Sequence, residues 1–225
     1  MMITLYLHFA RFKENSKLFN SQKTLIYCRL SVFSLAGKIK NMSQIKKLQP
    51  PLTDSVVRSL KAGDEVLITG IIYTARDMAH KRLCQSICHK ASLPGETGRK
   101  LPFELEGAVI YFVGPTPARP GRIIGSAGPT TSSRMDAFSP MLIAKGLKAM
   151  IGKGYRGDEV RDALKKYGAV HLSTIGGAGA LLSKHIVSAE VITYEDLGTE
   201  AVRKLQVVDV PAIVAYDSHG KNVYK

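Results

Sequence analysis

The stretch EVLITGIIYTARDMAHKRLCQSICHKA, residues 65–91, changes periodicity partway along. Val66 to Tyr73 is crowded with β-branched and aromatic side chains and reads as a strand, with Gly70 where a bulge or a close backbone approach is expected. Beyond Ala75 the apolar spacing becomes helical, with Met78, Leu83 and Ile87 on one face. A strand running straight into a helix is the unit of an α/β protein.

The alternation continues on both sides. Upstream, LTDSVVRSLKAGDEV reads as a short helix capped by Thr53 or Asp54, with Val56, Val57 and Leu60 on one face and Gly63 as its stop. Downstream, GAVIYFVGP and GRIIGSAG are expected to be strands of a hairpin joined by the stiff PTPARP. SPMLIAKGLKAMIG is expected to be one helix, with Pro140 tolerated in its first turn. GDEVRDALKKYG is expected to be another, facing inward through Val160, Ala163 and Leu164 and stopping at Gly168. AVHLSTIGG, IVSAEVIT and AIVAYD read as strands, with TEAVRKLQV as a helix between the last two. Glycine and proline fall mostly between these elements, and no internal repeat is present.

Composition narrows the function. The 225 residues suffice for one well-filled domain, with or without an appendage, and 45% apolar with 22% charged is ordinary for a globular protein. The net charge of +14 favours a polyanion or a small anionic ligand. There is no zinc-ribbon spacing, no aromatic RNA-binding signature and no Trp, so a nucleic-acid reading would rest on charge alone and no such partner is expected. No run approaches the ~18 apolar residues of a membrane span, so no membrane partner is expected either. Cys28, Cys84 and Cys88 are an odd number without a paired CxxC, which supplies neither a disulfide framework nor a complete metal site. Cys84 and Cys88 beside His89 imitate a ligand pair, but two thiols on one helix in a reducing compartment describe them as well. The expected location is cytoplasmic.

Residues 1–41 stand apart. They carry seven Lys/Arg and one acid, and their apolar piece TLIYCRLSVFSLAG is broken by Arg29. A basic, acid-poor segment suits targeting. It equally suits a translated upstream region, because MSQIKKLQPPLTDSVVRSL from Met42 looks like a natural beginning. Residues 1–41 are therefore set aside as a leader and 42–225 taken as the folded domain.

Three stretches hold groups suited to an anion. In YTARDMAHKR, Arg76 stands at a strand-to-helix junction, and Asp77 and His80 share a helix face, where Asp77 can orient the imidazole or raise its pKa. A solvated arginine beside a surface Asp–His pair is the plainer account. In IGSAGPTTSSRMD, Gly128 and Pro129 precede Thr130, Thr131, Ser132 and Ser133, so backbone N–H groups and hydroxyls are expected to face one point. Arg134 adds a planar fork that matches a carboxylate. A helix N-cap explains one of those hydroxyls, not the whole run. In IGKGY, Lys153 sits between two glycines at the expected end of a helix, where it either reaches a ligand or merely meets the helix dipole. STIGGAGALLS lacks the context of a dinucleotide site and reads better as a close backbone approach to the same pocket, or as helix–sheet packing.

Taken in order, GDEVLITGIIYTARDMAHKRL, GAVIYFVGP, IGSAGPTTSSRMD, MIGKG, IGGAGALL and YEDLGTEAVRKLQVVDVPAIVAYDSHGKNVY resemble the beta subunit, or C-terminal domain, of iron–sulfur class I fumarate hydratases and the similar beta subunit of L(+)-tartrate dehydratase. The resemblance runs from about Leu52 to Tyr224. It implies a swivelling β/β/α domain with a mixed sheet, closing over a [4Fe–4S] cluster carried by an iron–sulfur alpha subunit, so the thiols of this chain need hold no iron. It implies a hydro-lyase active only as a hetero-oligomer, acting on a small dicarboxylate in a step of the tricarboxylic acid cycle. Carried over by position, Arg76, Arg134 and Lys153 resemble the cations that hold the dicarboxylate, with Gly128 and Thr131 beside them. Thr130 matches the proposed proton-abstracting base and His80 an active-site histidine. Ser133 and His171 depart from the family pattern, which bears on fine specificity. L(+)-tartrate dehydratase, and an anion-binding domain without catalysis, are the alternatives.

Overall fold

The computed structural model describes residues 45–89 and 101–224. The leader at residues 1–41 and Cys28 within it lie outside them.

The architecture follows from two long strands that each pair with three others. β2 (Glu65–Thr74) pairs along one edge with β1 (Lys46–Leu48) and then β3 (Val109–Tyr111), both parallel. Its other edge pairs antiparallel with β7 (Val202–Tyr216), from Glu65↔Ile213 to Tyr73↔Lys204. β4 (Ala149–Gly152) and β5 (Val170–Ser173) continue the parallel order beside β3. β5 then pairs antiparallel with the end of β7, whose first half lies against β6 (Ile186–Thr193). The path β2-β3-β4-β5-β7 returns to β2, so the mixed seven-stranded sheet closes on itself as a barrel-like ring. This is an α/β fold with a mixed sheet, as expected.

Alternating side chains build a core on each side of the strands. Val109, Tyr111, Ala149, Ile151, Val170 and Leu172 join one cluster with Leu205, Val207 and Val214 of β7. Ile110, Phe112 and Met150 point the other way, against α2 (Asp77–His89), α3 (Ser139–Ala144) and α4 (Asp158–Tyr167).

Local signals hold where they are strong. Thr53 caps α1 (Asp54–Ser59), its hydroxyl accepting from the Val56 N–H, but the helix stops earlier than expected, with Leu60 rather than Gly63 at its end, and buries Val57 and Leu60 while Val56 is exposed. β2 shifts register between Ile68 and Gly70, and Gly70 has φ +134° with Pro50 packed close against it, the bulge and close approach its position suggests. α4 buries Val160, Ala163 and Leu164 and stops at a left-handed Gly168.

Four expectations are corrected. The inward face of α2 is Ala79, His80, Leu83 and Cys84, whereas Met78 is exposed, because the helix meets the sheet about one residue further round. GRIIGSAG is not a strand: β3 pairs only with parallel neighbours, and Ile123 is 54% exposed. SPMLIAKGLKAMIG is a helix and then a strand, α3 and β4. They are separated by Gly146 at φ +105°, where a Cβ would collide with Glu106. TEAVRKLQV is no helix but mostly the first half of β7, since its backbone groups are claimed by β2 and β6 together.

Candidate active site

Parallel strands converge their C-terminal ends on one rim, two of them leading into a cation and two into a glycine that lets one of those cations pass. β2 ends before Arg76, β3 before Gly114, β4 before Lys153 and β5 before Gly176. The carboxyl ends of parallel strands are where α/β folds place ligands.

The turn GPTTSSRMD is spliced between β3 and β4. The Thr130 N–H donates to the Phe112 carbonyl (2.7 Å) and the Ser132 N–H to the Lys153 carbonyl (2.8 Å), while the Lys153 N–H donates to the Thr130 carbonyl (3.2 Å). The expectation of several free amides facing an anion is therefore corrected in part: the N–H groups of Thr130 and Ser132 fasten the turn to the sheet. Thr131 is exposed at the rim and Ser132 is buried under it. A four-residue 3-10 turn, Ser132–Met135, follows and carries Arg134 outward.

Arg134 is half exposed and donates through Nε and Nη2 to the two carboxylate oxygens of Asp77, at 2.8 and 2.9 Å. Arg76 Nη2 lies 3.6 Å from the same carboxylate and 3.5 Å from Glu200 Oε1. A Cβ on Gly114 would stand 2.8 Å from Arg76 Nη1, so glycine is what allows the guanidinium to lie across the end of β3. The Arg76 Nε is buried without a hydrogen-bond partner. Glu200 also accepts from the Met78 N–H at the start of α2 (2.9 Å), joining a helix cap to a counter-charge. Nothing local in the sequence marks it, because it comes from a segment beyond β6.

Lys153 stands at the end of β4 rather than of a helix, since the expected helix stops at Ala144. Its ammonium passes over Gly176, where a Cβ would come within 3.5 Å of Nζ. Gly179 packs on Gly128, a Cβ there falling 2.8 Å from the Gly128 nitrogen, and the Ala127 N–H donates to the Gly179 carbonyl (3.0 Å). The glycines of IGGAG thus let the backbone approach this site closely.

His80 departs from its expected setting. Asp77 does not orient it, being engaged with Arg134. The imidazole is fully buried, edge-on to Phe112 with ring centroids 5.1 Å apart. Its Nδ1 lies 2.9 Å from the Arg76 carbonyl, which only accepts, so Nδ1 carries the proton and donates; the buried Nε2 has no partner. Burial lowers its pKa to about 4, with the nearby Arg156 charge acting in the same direction. His80 is a neutral support beneath Arg76.

A second layer was not expected from the sequence. Arg156, two residues past Gly154, is wholly buried and donates from Nε to Asp136 (2.7 Å) and from Nη2 to Ser139 Oγ (2.6 Å). His171 lies 3.4 Å from Arg156 Nη1. Burial, aided by that cation, holds His171 well below its ordinary pKa.

Among the described residues, no group of three His, Cys, Asp or Glu is placed to hold a metal. Burial raises the Cys84 thiol to about 11, with the neighbouring Cys88 acting in the same direction. This donor set does not fit an iron–sulfur cluster. Among those residues, no helix is long and apolar enough to cross a membrane.

A family model described as Fumarase C-terminus matches residues 29–225. The chain is 36% identical over 160 residues to the aerobic class I fumarate hydratase of Escherichia coli K12, covering 70% of this chain and 28% of that protein. It is 37% identical over 183 residues to a provisionally named class I fumarate hydratase of Geobacillus stearothermophilus, covering 79% of this chain and 33% of that protein. With a provisionally named L(+)-tartrate dehydratase subunit beta of Methanocaldococcus jannaschii, identity is 36% over 180 residues, 77% of this chain and 88% of that subunit. The chain thus spans about a third of the length of the fumarate hydratases it matches.

Proposed function

Because the chain belongs to the Fumarase C-terminus family, we propose that it is the beta subunit of a hydro-lyase that interconverts fumarate and (S)-malate. The observation that carries the reading is the Arg134 fork, which already holds a carboxylate through two parallel hydrogen bonds on a rim shared with Arg76 and Lys153.

Adding water across the double bond of fumarate requires two carboxylates to be held and the extra charge of an aci-carboxylate-like intermediate to be stabilised. Fixed cations in a cleft closed to water do this best. Arg134 and Arg76 suit planar, two-pronged contacts, and Lys153 supplies a point charge over the IGGAG backbone. Thr131 bridges to Lys153 at the same rim, and Gly128 packs against Gly179 beside it. Thr130 is the residue to move the proton. Its own amide is committed to Phe112, so in this reading Lys153, Arg134 or a neighbouring backbone N–H activates its hydroxyl. His80 acts indirectly, through the Arg76 carbonyl.

The described residues offer no donor set that fits the family's [4Fe–4S] cluster, and in this proposal the cluster belongs to a separate alpha subunit of a cytoplasmic hetero-oligomer. A second reading, L(+)-tartrate dehydratase, is favoured by the similarity along most of a free-standing beta subunit. Co-expression with an iron–sulfur alpha subunit, anaerobic reconstitution and assay on fumarate, malate and tartrate tests both. Turnover of fumarate and malate is expected; preference for tartrate selects the second reading, and no turnover of any of the three overturns both.

A further inference from the structure

Arg156 is a costly residue to bury, and its surroundings indicate what holds it there. Its side chain is fully enclosed, with the guanidinium carbon 5.4 Å over the Phe112 ring. Nε donates to Asp136 Oδ1 at 2.7 Å, Nη2 to Ser139 Oγ at 2.6 Å, and Nη1 faces His171 Nδ1 at 3.4 Å and the Met150 sulfur at 3.6 Å. The remaining Asp136 oxygen accepts from the Gly157 N–H at 2.7 Å, and the Arg156 N–H donates to the Tyr216 hydroxyl at 3.1 Å. The guanidinium therefore ties the end of the Thr130–Asp136 turn to the start of α3, to β4 and to β5, and the backbone N–H of the same residue ties it to the end of β7. A buried ion pair contributes little net stability compared with well-packed apolar groups. What it supplies is a fixed geometry.

The turn needs that geometry. It is held to the sheet at its start by the Thr130 and Ser132 amides. At its far end Asp136, two residues past Arg134, is the anchor. We propose that Arg156 is a positioning residue of the anion site: through Asp136 it fixes the end of the turn, and with it the direction of Arg134 and the depth of Thr130. The effect on substrate rests on the hydro-lyase reading; the anchoring does not.

The test uses the full chain, with variants that separate anchoring from folding. Arg156→Met alone strands the Asp136 carboxylate and risks unfolding, so it is paired with Asp136→Asn, which removes both charges; Ser139→Ala removes one partner only. Amide exchange of Thr130, Ser132 and Asp136, followed by NMR, is expected to quicken at least tenfold in the double variant and less in Ser139→Ala, while β1 and β6 amides stay within about twofold. Arg156→Lys is not expected to restore protection, because one ammonium cannot span Asp136, Ser139 and His171 together. In the reconstituted pair, KM for the dicarboxylate rises at least tenfold while kcat falls less. Unchanged exchange in the turn, exchange that rises equally throughout the molecule, or rescue by lysine overturns the proposal. If the wild-type pair turns over no dicarboxylate, the hydro-lyase reading fails, and the exchange result still decides the anchor.

Discussion

Asp77 occupies the Nε–Nη2 edge of Arg134, with both carboxylate oxygens between 2.8 and 2.9 Å from their donors, although the two residues lie on different elements of the chain. The contact fixes the guanidinium plane and leaves its outer Nη1–Nη2 edge for a ligand. It also places a resident negative charge beside the cations proposed to hold the substrate.

Asp77→Asn keeps the shape of that contact and removes the charge. Repulsion between the resident carboxylate and an incoming dicarboxylate disappears, so a succinate probe is expected to bind the full chain a few-fold more tightly at low ionic strength, with the difference shrinking in salt. Calorimetry at two salt concentrations measures it. Weaker binding in both would make orientation of Arg134 the dominant role of Asp77.

Arg134→Lys retains the charge and loses the fork. A hydrogen bond to a charged group contributes about 1.5–3 kcal/mol, so kcat/KM of the assembled enzyme is expected to fall at least about tenfold. The Tm stays close to wild type, because a half-exposed ion pair contributes only about 0–1 kcal/mol to folding. Wild-type turnover would reduce the turn to a helix cap.

Thr130→Ala separates binding from chemistry. A group that transfers a proton acts chiefly in the transition state, so kcat is expected to drop more than KM rises. Steady-state kinetics on malate and fumarate decide it, and an effect confined to KM would assign Thr130 to binding.

His80 makes folding sensitive to acid. Its folded pKa, about 4, is below the ordinary 6.5, so the unfolded chain takes the proton first as pH falls. Its contribution is complete above about pH 6.5 and is lost as pH falls toward 4, a change on the order of 3 kcal/mol at 1.36 kcal/mol per decade. His171 adds a slope of the same sign. His80→Asn, which keeps a donor toward the Arg76 carbonyl, is expected to flatten the profile of unfolding free energy between those two pH values. An unaltered slope would show that His80 does not carry it.

Legibility in the sequence followed the range of the interactions. β2, α2 and α4 are written in their own periodicity, so they read correctly apart from the rotation of α2 that exposes Met78. The segment TEAVRKLQV is rich in helix formers, yet partners on both of its edges override local propensity. SPMLIAKGLKAMIG concealed its break, because a left-handed Gly146 looks like any tolerated helix glycine until Glu106 is beside it. At the site, Thr130, Arg134 and Lys153 stood out through their glycine and hydroxyl neighbours, and Arg76 through its place where a strand runs into a helix. Glu200 and the partners of Arg156 did not, because their contacts are made only once separate elements pack together.

The closing strand also sets a timetable for biosynthesis. Ile213 of β7 faces Glu65 of β2 on one edge and Ser173 of β5 on the other. A ribosome adds roughly 5–20 residues per second, so on the order of ten seconds separates the emergence of β2 from that of its partner. During that interval β2 and β5 each present an unpaired edge, the feature that recruits stray strands from neighbouring nascent chains. Substitutions that weaken β7 therefore lower the yield of folded protein through the newborn chain, even where the finished molecule tolerates them.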